Sequence, residues 1–444
     1  MILIDKFIDL VSSTPNKLYI QSKSYSITFE DFSYRIGDRI KSLSSVGVLK
    51  NQKVGIILDE FSDIVELLLS CWSIDAIPVL ISPELKIKEK LSLFNEFSPD
   101  LIITNWKNSN GISNLNIPVF PIEELSQGFG GCGIPNIDSS NDLNSTRLIL
   151  FTSGSTGTPK IVQLSERNLV ESAIAWNKEI AFKNNDLYLN FMPTHHIGGI
   201  SIFIRSLLYG FSIFSIKSFD IDSILKVLNK KPVTLMSMVP TMLSRILEKT
   251  HCHLPDSIRG IILSGGPSSD VLMRKCINCN IPVFKSYGLT ETSSGVCGFW
   301  LNKHPKKFKS VGLPFDNSNI KIIDSLVHIQ GPTVMKGYLG NEKTVSQWFN
   351  TGDFGMIDED GFLFIEMRRS DQVITGGKNV SCNEIESILM KNPQIFKVKV
   401  YGEPNEDWGQ IVVAKISSNL SHEEIKSWLK GKVSDYKIPK MFYD

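Results

Sequence analysis

The chain has 444 residues, 42% of them hydrophobic and 21% charged, which is globular composition long enough for two or three folding units. Lys and Arg number 47 against 46 Asp and Glu, so the net charge of +1 gives no electrostatic basis for nucleic acid as a partner. A collagen, a coiled coil, a disordered tail and a small disulfide scaffold are all excluded.

The first residues, Met1 to Asp9, place acids inside what would be the apolar core of a secretory signal. Cys71, Cys132, Cys252, Cys276, Cys279, Cys297 and Cys382 are an odd, scattered set, and a cytoplasmic chain with reduced thiols is expected. Short apolar runs at Lys53–Leu58, Leu101–Thr104 and Gly260–Leu263 predict buried strands. Helical periods at Ser62–Trp72 and Asp222–Asn229 lie between such runs, so the pattern is α/β throughout. The stretch 105–145 is rich in Asn, Gly, Ser and Pro and reads as loop.

Ile197–Ile216 is the most membrane-like stretch. Arg205 in its middle costs about 2.5–3.5 kcal/mol on insertion scales, and Gly210 divides it further, so a buried helix followed by a strand is expected. Integral membrane association is not. His251, Cys252 and His253, followed by Cys276 and Cys279, include one zinc-type spacing. The segment around Cys276 reads as an amphipathic helix leading into a strand, so these are taken as thiols rather than ligands. Met356–Phe364 reads as a hairpin with an acidic turn. Beyond a boundary near 366–371 comes a small α/β unit: strand Gln372–Thr375, a helix from about Asn383, strands Lys397–Val400 and Ile411–Ala414, and a helix from Ser421. Two unequal domains, 1–366 and 372–444, joined by a hinge at 367–371, imply a site in the cleft between them.

The strongest chemical signal is Thr152-Ser-Gly-Ser-Thr-Gly-Thr-Pro-Lys160. Glycines and hydroxyl residues give a mobile backbone with many donors, suited to polyphosphate, and Lys160 adds a point charge. It is not a Walker A loop, because Pro159 precedes the lysine and a strand, not a helix, follows. This nonapeptide resembles the phosphate loop of the adenylate-forming superfamily of acyl-CoA synthetases, peptide-synthetase adenylation domains and luciferases. Three further segments match in order. Tyr287–Thr292 resembles the adenine and magnesium motif, and Thr351-Gly-Asp353 the ribose motif. Arg368–Asn379, with Glu384-Ile-Glu386, resembles the hinge and the start of the mobile domain.

The resemblance implies a large N-terminal domain of layered α/β sheets with a small β-barrel-like subdomain, and a small mobile α+β C-terminal domain. It implies that Thr152, Ser153, Gly154, Ser155, Thr156, Gly157 and Lys160 handle the phosphates of ATP and that Glu291 holds Mg²⁺. Tyr287, Gly288 and Thr290 would meet the adenine side, with Asp353 and Arg368 on the ribose. Ser370 would be the pivot, and Gly376 and Gly377 would line the path of CoA.

Met192–Gly199, with His196 in the usual position and His195 as a neighbour, resembles the segment beside the acyl pocket. Arg205, Ser264, Gly265, Gly266, Thr292 and Ser293 complete that pocket, and with Ser310–Pro314 the set is most similar to the o-succinylbenzoate–CoA ligase branch. The implied reaction joins o-succinylbenzoate to CoA through an acyl-adenylate, releasing AMP and pyrophosphate, in menaquinone or phylloquinone biosynthesis. A diacid needs a counterion for the carboxylate that does not react. Arg205 can serve; equally, it can cap carbonyls or pair structurally.

Other aryl- or fatty-acyl-CoA synthetases and an adenylation-impaired binding protein are the competing readings. A carrier-protein attachment site at Asp324-Ser-Leu326 is set aside as strand-like sequence. Homo-oligomerisation is left open. The family carries a Gly-Lys lysine a few tens of residues after its Tyr-Lys-Ile-Pro-Lys motif. Here Tyr436–Lys440 is followed by Met441–Asp444. The C-terminal domain therefore reads as shortened, with a weakened adenylation step expected. Met367 stands where the family has glycine before the hinge arginine.

Overall fold

The computed structural model describes residues 2–109, 111–112, 116–125, 134, 142–152, 159–342, 347–368 and 372–443. Helix starts follow from capping chemistry. Ser165, Asp220, Ser269, Ser381 and Ser421 each accept a hydrogen bond from the backbone N–H three residues on. Pro240 opens the helix Pro240–Lys249, where its missing N–H costs nothing. Gly210, at φ 69°, ends the helix Ile197–Tyr209, and strand Ser212–Ser215 follows, so the membrane-like stretch divides as the sequence suggests. Among the described residues no helix is long and apolar enough to cross a membrane.

Among the described residues the strands form sheets of nine, eight, four and five. In the nine-stranded sheet, Leu187–Asn190, Ser212–Ser215, Leu235–Met238, Gly260–Leu263 and Val283–Leu289 run parallel, and Ser294–Trp300 returns antiparallel. The eight-stranded sheet has a parallel set of Lys53–Ile57, Ile77–Leu80, Leu101–Thr104 and Thr146–Thr152. Helices fill the space between these two sheets. Phe61–Ser73 is buried at every position except Asp63, as a helix covered on both sides must be. A single apolar cluster, including Phe7, Phe32, Trp72, Trp176 and Phe203, joins both sheets through these helices.

Asn319–Ile323, Leu326–Gln330, Phe349–Ile357 and Leu363–Arg368 make the four-stranded antiparallel sheet. Asp324 and Ser325 are its first hairpin turn, at φ 51° and 62°, not strand as their neighbours suggested. Two short polar residues that tolerate the left-handed region make that turn possible. The small unit has its own apolar core, with Val373, Ile385, Val400, Val412 and Leu429 buried between a five-stranded sheet and two helices. Its central hairpin, Ile395–Asn405 against Gly409–Ser418, is longer at both ends than the apolar runs inside it.

Candidate active site

Neighbouring parallel strands of the nine-stranded sheet all deliver functional candidates at their carboxyl ends. His195 and His196 follow Leu187–Asn190, and Val239 to Thr241 follow Leu235–Met238. Ser264 to Gly266 follow Gly260–Leu263, and Tyr287 lies two residues before the end of its own strand, Val283–Leu289. This edge is where open α/β sheets bind ligands.

The hairpin Val283–Leu289/Ser294–Trp300 carries a register shift at Tyr287/Gly288, which re-aims Tyr287. Its hydroxyl donates to Asp353 Oδ2 at 2.5 Å. Gly288 is needed here for packing: a Cβ would sit 1.9 Å from the carbonyl oxygen of Ser294. Glu291 lies in the short 3₁₀ turn Thr290–Thr292, and its Oε1 accepts from Tyr338 at 2.9 Å and from Thr152 at 3.5 Å. Lys160 Nζ stands 5.1 Å from the centre of the Tyr338 ring. Thr152 and Lys160 face each other as the last and first residues of paired strands and so form the mouth of that hairpin. Ser153, Gly154, Ser155, Thr156, Gly157 and the pivot Ser370 lie outside the described residues, as does the side chain of Arg368, whose backbone pairs with Asp353.

Arg205 is 2% exposed on the helix Ile197–Tyr209. Its Nη2 donates to Ser294 Oγ at 3.0 Å, its guanidinium lies 4.3 Å from the Trp176 ring centre, and its Nε has no hydrogen-bond partner among the described residues. Burial pushes its pKa down to about 10, opposed by Tyr188, so it stays charged at neutral pH.

Thr292 and Ser293 were expected to face the acid. Instead the Thr292 hydroxyl donates to the carbonyls of Leu289 and Ser294, and the Ser293 hydroxyl to that of Thr333 at 2.9 Å. These bonds tie down the turn. Ser293 and Ser294, at φ 56° and 111°, swing the next hydroxyl, that of Ser294, onto Arg205.

His195 and His196 have ring centres 4.5 Å apart. His196 is open to the cleft yet walled by protein. Burial first, then the Lys378 cation, hold its pKa down to about 4, with Glu84 opposing. His195 is held well below its usual value by burial, His196 and Lys378. Both rings are neutral at physiological pH. Gly199 permits the tight turn before the helix, since a Cβ would lie 2.3 Å from the carbonyl oxygen of Pro193.

The small unit presses on this edge through one turn. Gly376 and Gly377, at φ 55° and 79°, link strands Gln372–Thr375 and Lys378–Ser381. A Cβ on Gly377 would lie 2.7 Å from Val239 Cγ1, and one on Gly376 3.0 Å from the Trp408 ring. Beside them a cavity of ≈ 430 Å³ opens between the units, lined among others by Thr241, Met242, Arg245, Gly376 and Trp408. Lys378 ion-pairs with Glu84 of the large unit. Tyr338 and Trp408 stood in no motif of the sequence, and Ser294 and Lys378 stood within motifs without a role of their own. The exposed Trp408, fixed by an Asx-type bond from its N–H to Asn405 Oδ1, was the one with a visible signal.

A parallel sheet whose carboxyl edge carries an acidic turn and a buried cation, bonded through Glu291 to the Thr152 end of the neighbouring sheet's hairpin and closed by a small α+β unit, is the arrangement of a nucleotide-dependent enzyme of the adenylate-forming class. The AMP-binding enzyme family profile matches residues 9–339, and the AMP-binding enzyme C-terminal domain profile matches 384–443; the chain belongs to this family. It is 30% identical to the 2-succinylbenzoate–CoA ligase of Bacillus cytotoxicus over 97% of this chain and 92% of that protein. A double mutant of o-succinylbenzoate CoA synthetase from Bacillus subtilis, bound with its product analogue OSB-NCoA, matches with a TM-score of 0.91 at 28% identity, covering 99% and 94% of the two chains. The same enzyme in complex with the acyl-adenylate intermediate OSB-AMP matches with a TM-score of 0.77 at 28% identity, covering 99% and 93%.

Proposed function

We propose that the chain is an AMP-forming o-succinylbenzoate–CoA ligase that uses ATP, Mg²⁺ and CoA. The observation that carries this reading is Arg205, a buried guanidinium with no carboxylate in ion-pair reach among the described residues and an unpartnered Nε. A buried cation is costly until an anion reaches it. A dicarboxylic acid supplies one in the carboxylate that takes no part in the reaction, and relatives that carry 2-succinylbenzoate in their names support the same acid.

In the first half-reaction the other carboxylate attacks the α-phosphorus of ATP, and the bond from phosphorus to pyrophosphate breaks. Lys160 places positive charge beside the phosphate hairpin, and Asp353 is placed to accept from the ribose hydroxyls. Glu291 and Thr152 are hard oxygen donors at the mouth of that hairpin, which suits Mg²⁺. Mg²⁺ held by Glu291 and Thr152 would offset the charge of the phosphates. Neutral His196 offers a hydrogen bond to the acid without forming an ion pair that would hold back the nucleophile.

In the second half-reaction the CoA sulfur attacks the acyl carbon and the bond to AMP breaks. Gly376 and Gly377 leave the thiol arm a path beside Val239. The chain fits the product-analogue complex better than the adenylate complex of the same enzyme, which supports reading this arrangement of the two units as the thioester-forming one. Catalysis is then positioning and charge stabilisation, without a covalent enzyme intermediate.

The test is release of AMP and pyrophosphate, with thioester formation, from o-succinylbenzoate, ATP, Mg²⁺ and CoA, alongside matched aromatic and fatty monoacids. The second half is read separately from synthetic acyl-adenylate and CoA. Turnover confined to o-succinylbenzoate supports the reading; turnover of a monoacid with none of the diacid overturns it.

A further inference from the structure

The helix Ile87–Phe97 of the large unit begins with a cluster of charge that faces the small unit. Glu89, at its third position, uses Oε2 to accept from its own Lys86 N–H at 2.9 Å and from the Ser434 hydroxyl at 2.6 Å. Its Oε1 accepts from Lys437 Nζ at 2.8 Å. The same ammonium donates to both oxygens of Glu384, at 2.9 and 3.1 Å. The Lys437, Glu89 and Glu384 side chains are only 9%, 11% and 16% exposed.

The partners are not equivalent. Lys437 and Glu384 both belong to the small unit and travel together, whereas Glu89 belongs to the large one, 348 residues from Lys437 in sequence. Burial would raise the Glu89 carboxyl, but the Lys437 charge and the bonds from Lys437, Ser434 and the Lys86 N–H overcome it, and the group is held below the usual carboxylate range. Glu84–Lys378 and Lys86–Asp435 also cross the interface, but each has a well-exposed partner and is screened by water. The Glu89 contact is therefore the one of these three crossings in which both partners are buried.

We propose that Glu89 is a positioning residue for thioester formation, holding the small unit where Gly376, Gly377 and Lys378 reach the acid pocket. The inference rests on the proposed ligase reaction for its chemistry, though not for its geometry. Glu89 touches no substrate; it acts through Lys437 and Ser434.

The experiment uses the full chain and the Glu89→Gln and Glu84→Gln variants. Single-turnover thioester formation from synthetic o-succinylbenzoyl-adenylate and CoA falls about 10- to 100-fold in Glu89→Gln and about threefold or less in Glu84→Gln. Affinity for the acyl-adenylate without CoA stays unchanged in both. Hydrogen exchange at the amides of Gly376 to Lys378 rises in Glu89→Gln alone. Unchanged thioester rate and unchanged exchange in Glu89→Gln overturn the proposal. If the unsubstituted chain makes no thioester, the ligase reading fails, and the exchange arm alone decides: raised exchange upholds the positioning role and unchanged exchange rejects it.

Discussion

Tyr287 donates its hydroxyl to Asp353 across 2.5 Å, joining the last parallel strand of the nine-stranded sheet to the strand Phe349–Ile357 of the four-stranded one. Two sheets that already share an apolar core are thus also joined by a hydrogen bond at the point where the nucleotide is expected. Asp353 is 3% exposed, and its N–H is held by the Thr351 hydroxyl at 3.0 Å, so its carboxylate has little freedom to turn. Asp353→Asn should weaken ATP binding by about 10- to 100-fold, the size of a lost hydrogen-bond set to a charged group. Tyr287→Phe, which keeps the ring and removes only the orienting donor, should cost about threefold to tenfold. Calorimetric titration with ATP and Mg²⁺ ranks the two.

Arg205 ties specificity to stability. Arg205→Met should lower kcat/KM for o-succinylbenzoate by about 100-fold or more while leaving a matched monoacid within about threefold. It should also match or raise the Tm of the ligand-free chain, because an apolar side chain replaces a buried cation. Equal losses for diacid and monoacid in steady-state kinetics defeat the counterion role.

Glu291 accepts from two hydroxyls, so the carboxylate is positioned before any ligand arrives. Glu291→Gln should cut the adenylation rate by about 100-fold and raise the Mg²⁺ concentration needed for half-maximal rate. Tyr338→Phe should do neither by more than about threefold. A Mg²⁺ titration of pyrophosphate release separates them.

Lys285 gives a pH signature. Buried at 8% exposure with its Nζ 2.8 Å from the carbonyl oxygen of Phe308, it is pushed by burial from 10.5 to about 8, against the charges of Asp270 and Cys297. Below pH 8 both folded and unfolded chains carry the proton, and the cost of burying it is fully present. Between pH 8 and 10.5 the folded state sheds it first, so the unfolded state binds more protons and stability rises with pH. Relative to Lys285→Met, the natural chain should gain at most about 3 kcal/mol across that window. Urea unfolding of both proteins at pH 7.5, 9 and 10.5 measures it.

Gly377→Ala places a methyl 2.7 Å from Val239 Cγ1 at a backbone φ of 79°. Thioester formation from preformed acyl-adenylate should slow at least about tenfold, from clash and strain together. Binding of the acyl-adenylate should not change, which calorimetry without CoA checks.

Local sequence carried much of the fold. Leu101–Thr104, Gly260–Leu263 and Gln372–Thr375 form strands over the residues where their apolar runs stand, because each is bounded by residues that end a strand. The strand Ile395–Asn405 was foreshortened, since its irregular burial and Pro404 hide its length. Within the Thr292-Ser-Ser294 run, no pattern could say which hydroxyl meets Arg205, because two consecutive positive φ values make that choice. Asp324-Ser325 read as strand because the strands on either side are apolar, whereas the turn needed only two residues that accept φ > 0. The Glu89–Lys437 contact lay beyond any local signal, since charge, not spacing, unites two ends of the chain.

The guanidinium of Arg205 rests 4.3 Å from the centre of the Trp176 ring, whose own Nε1 has no hydrogen-bond partner among the described residues. An indole paired with a single buried charge responds optically to whatever neutralises that charge. The proposed acid pocket therefore has an intrinsic fluorophore beside its counterion. Arrival of an anion there should shift tryptophan emission before any bond is made or broken, a change that Arg205→Met should abolish in a fluorescence titration.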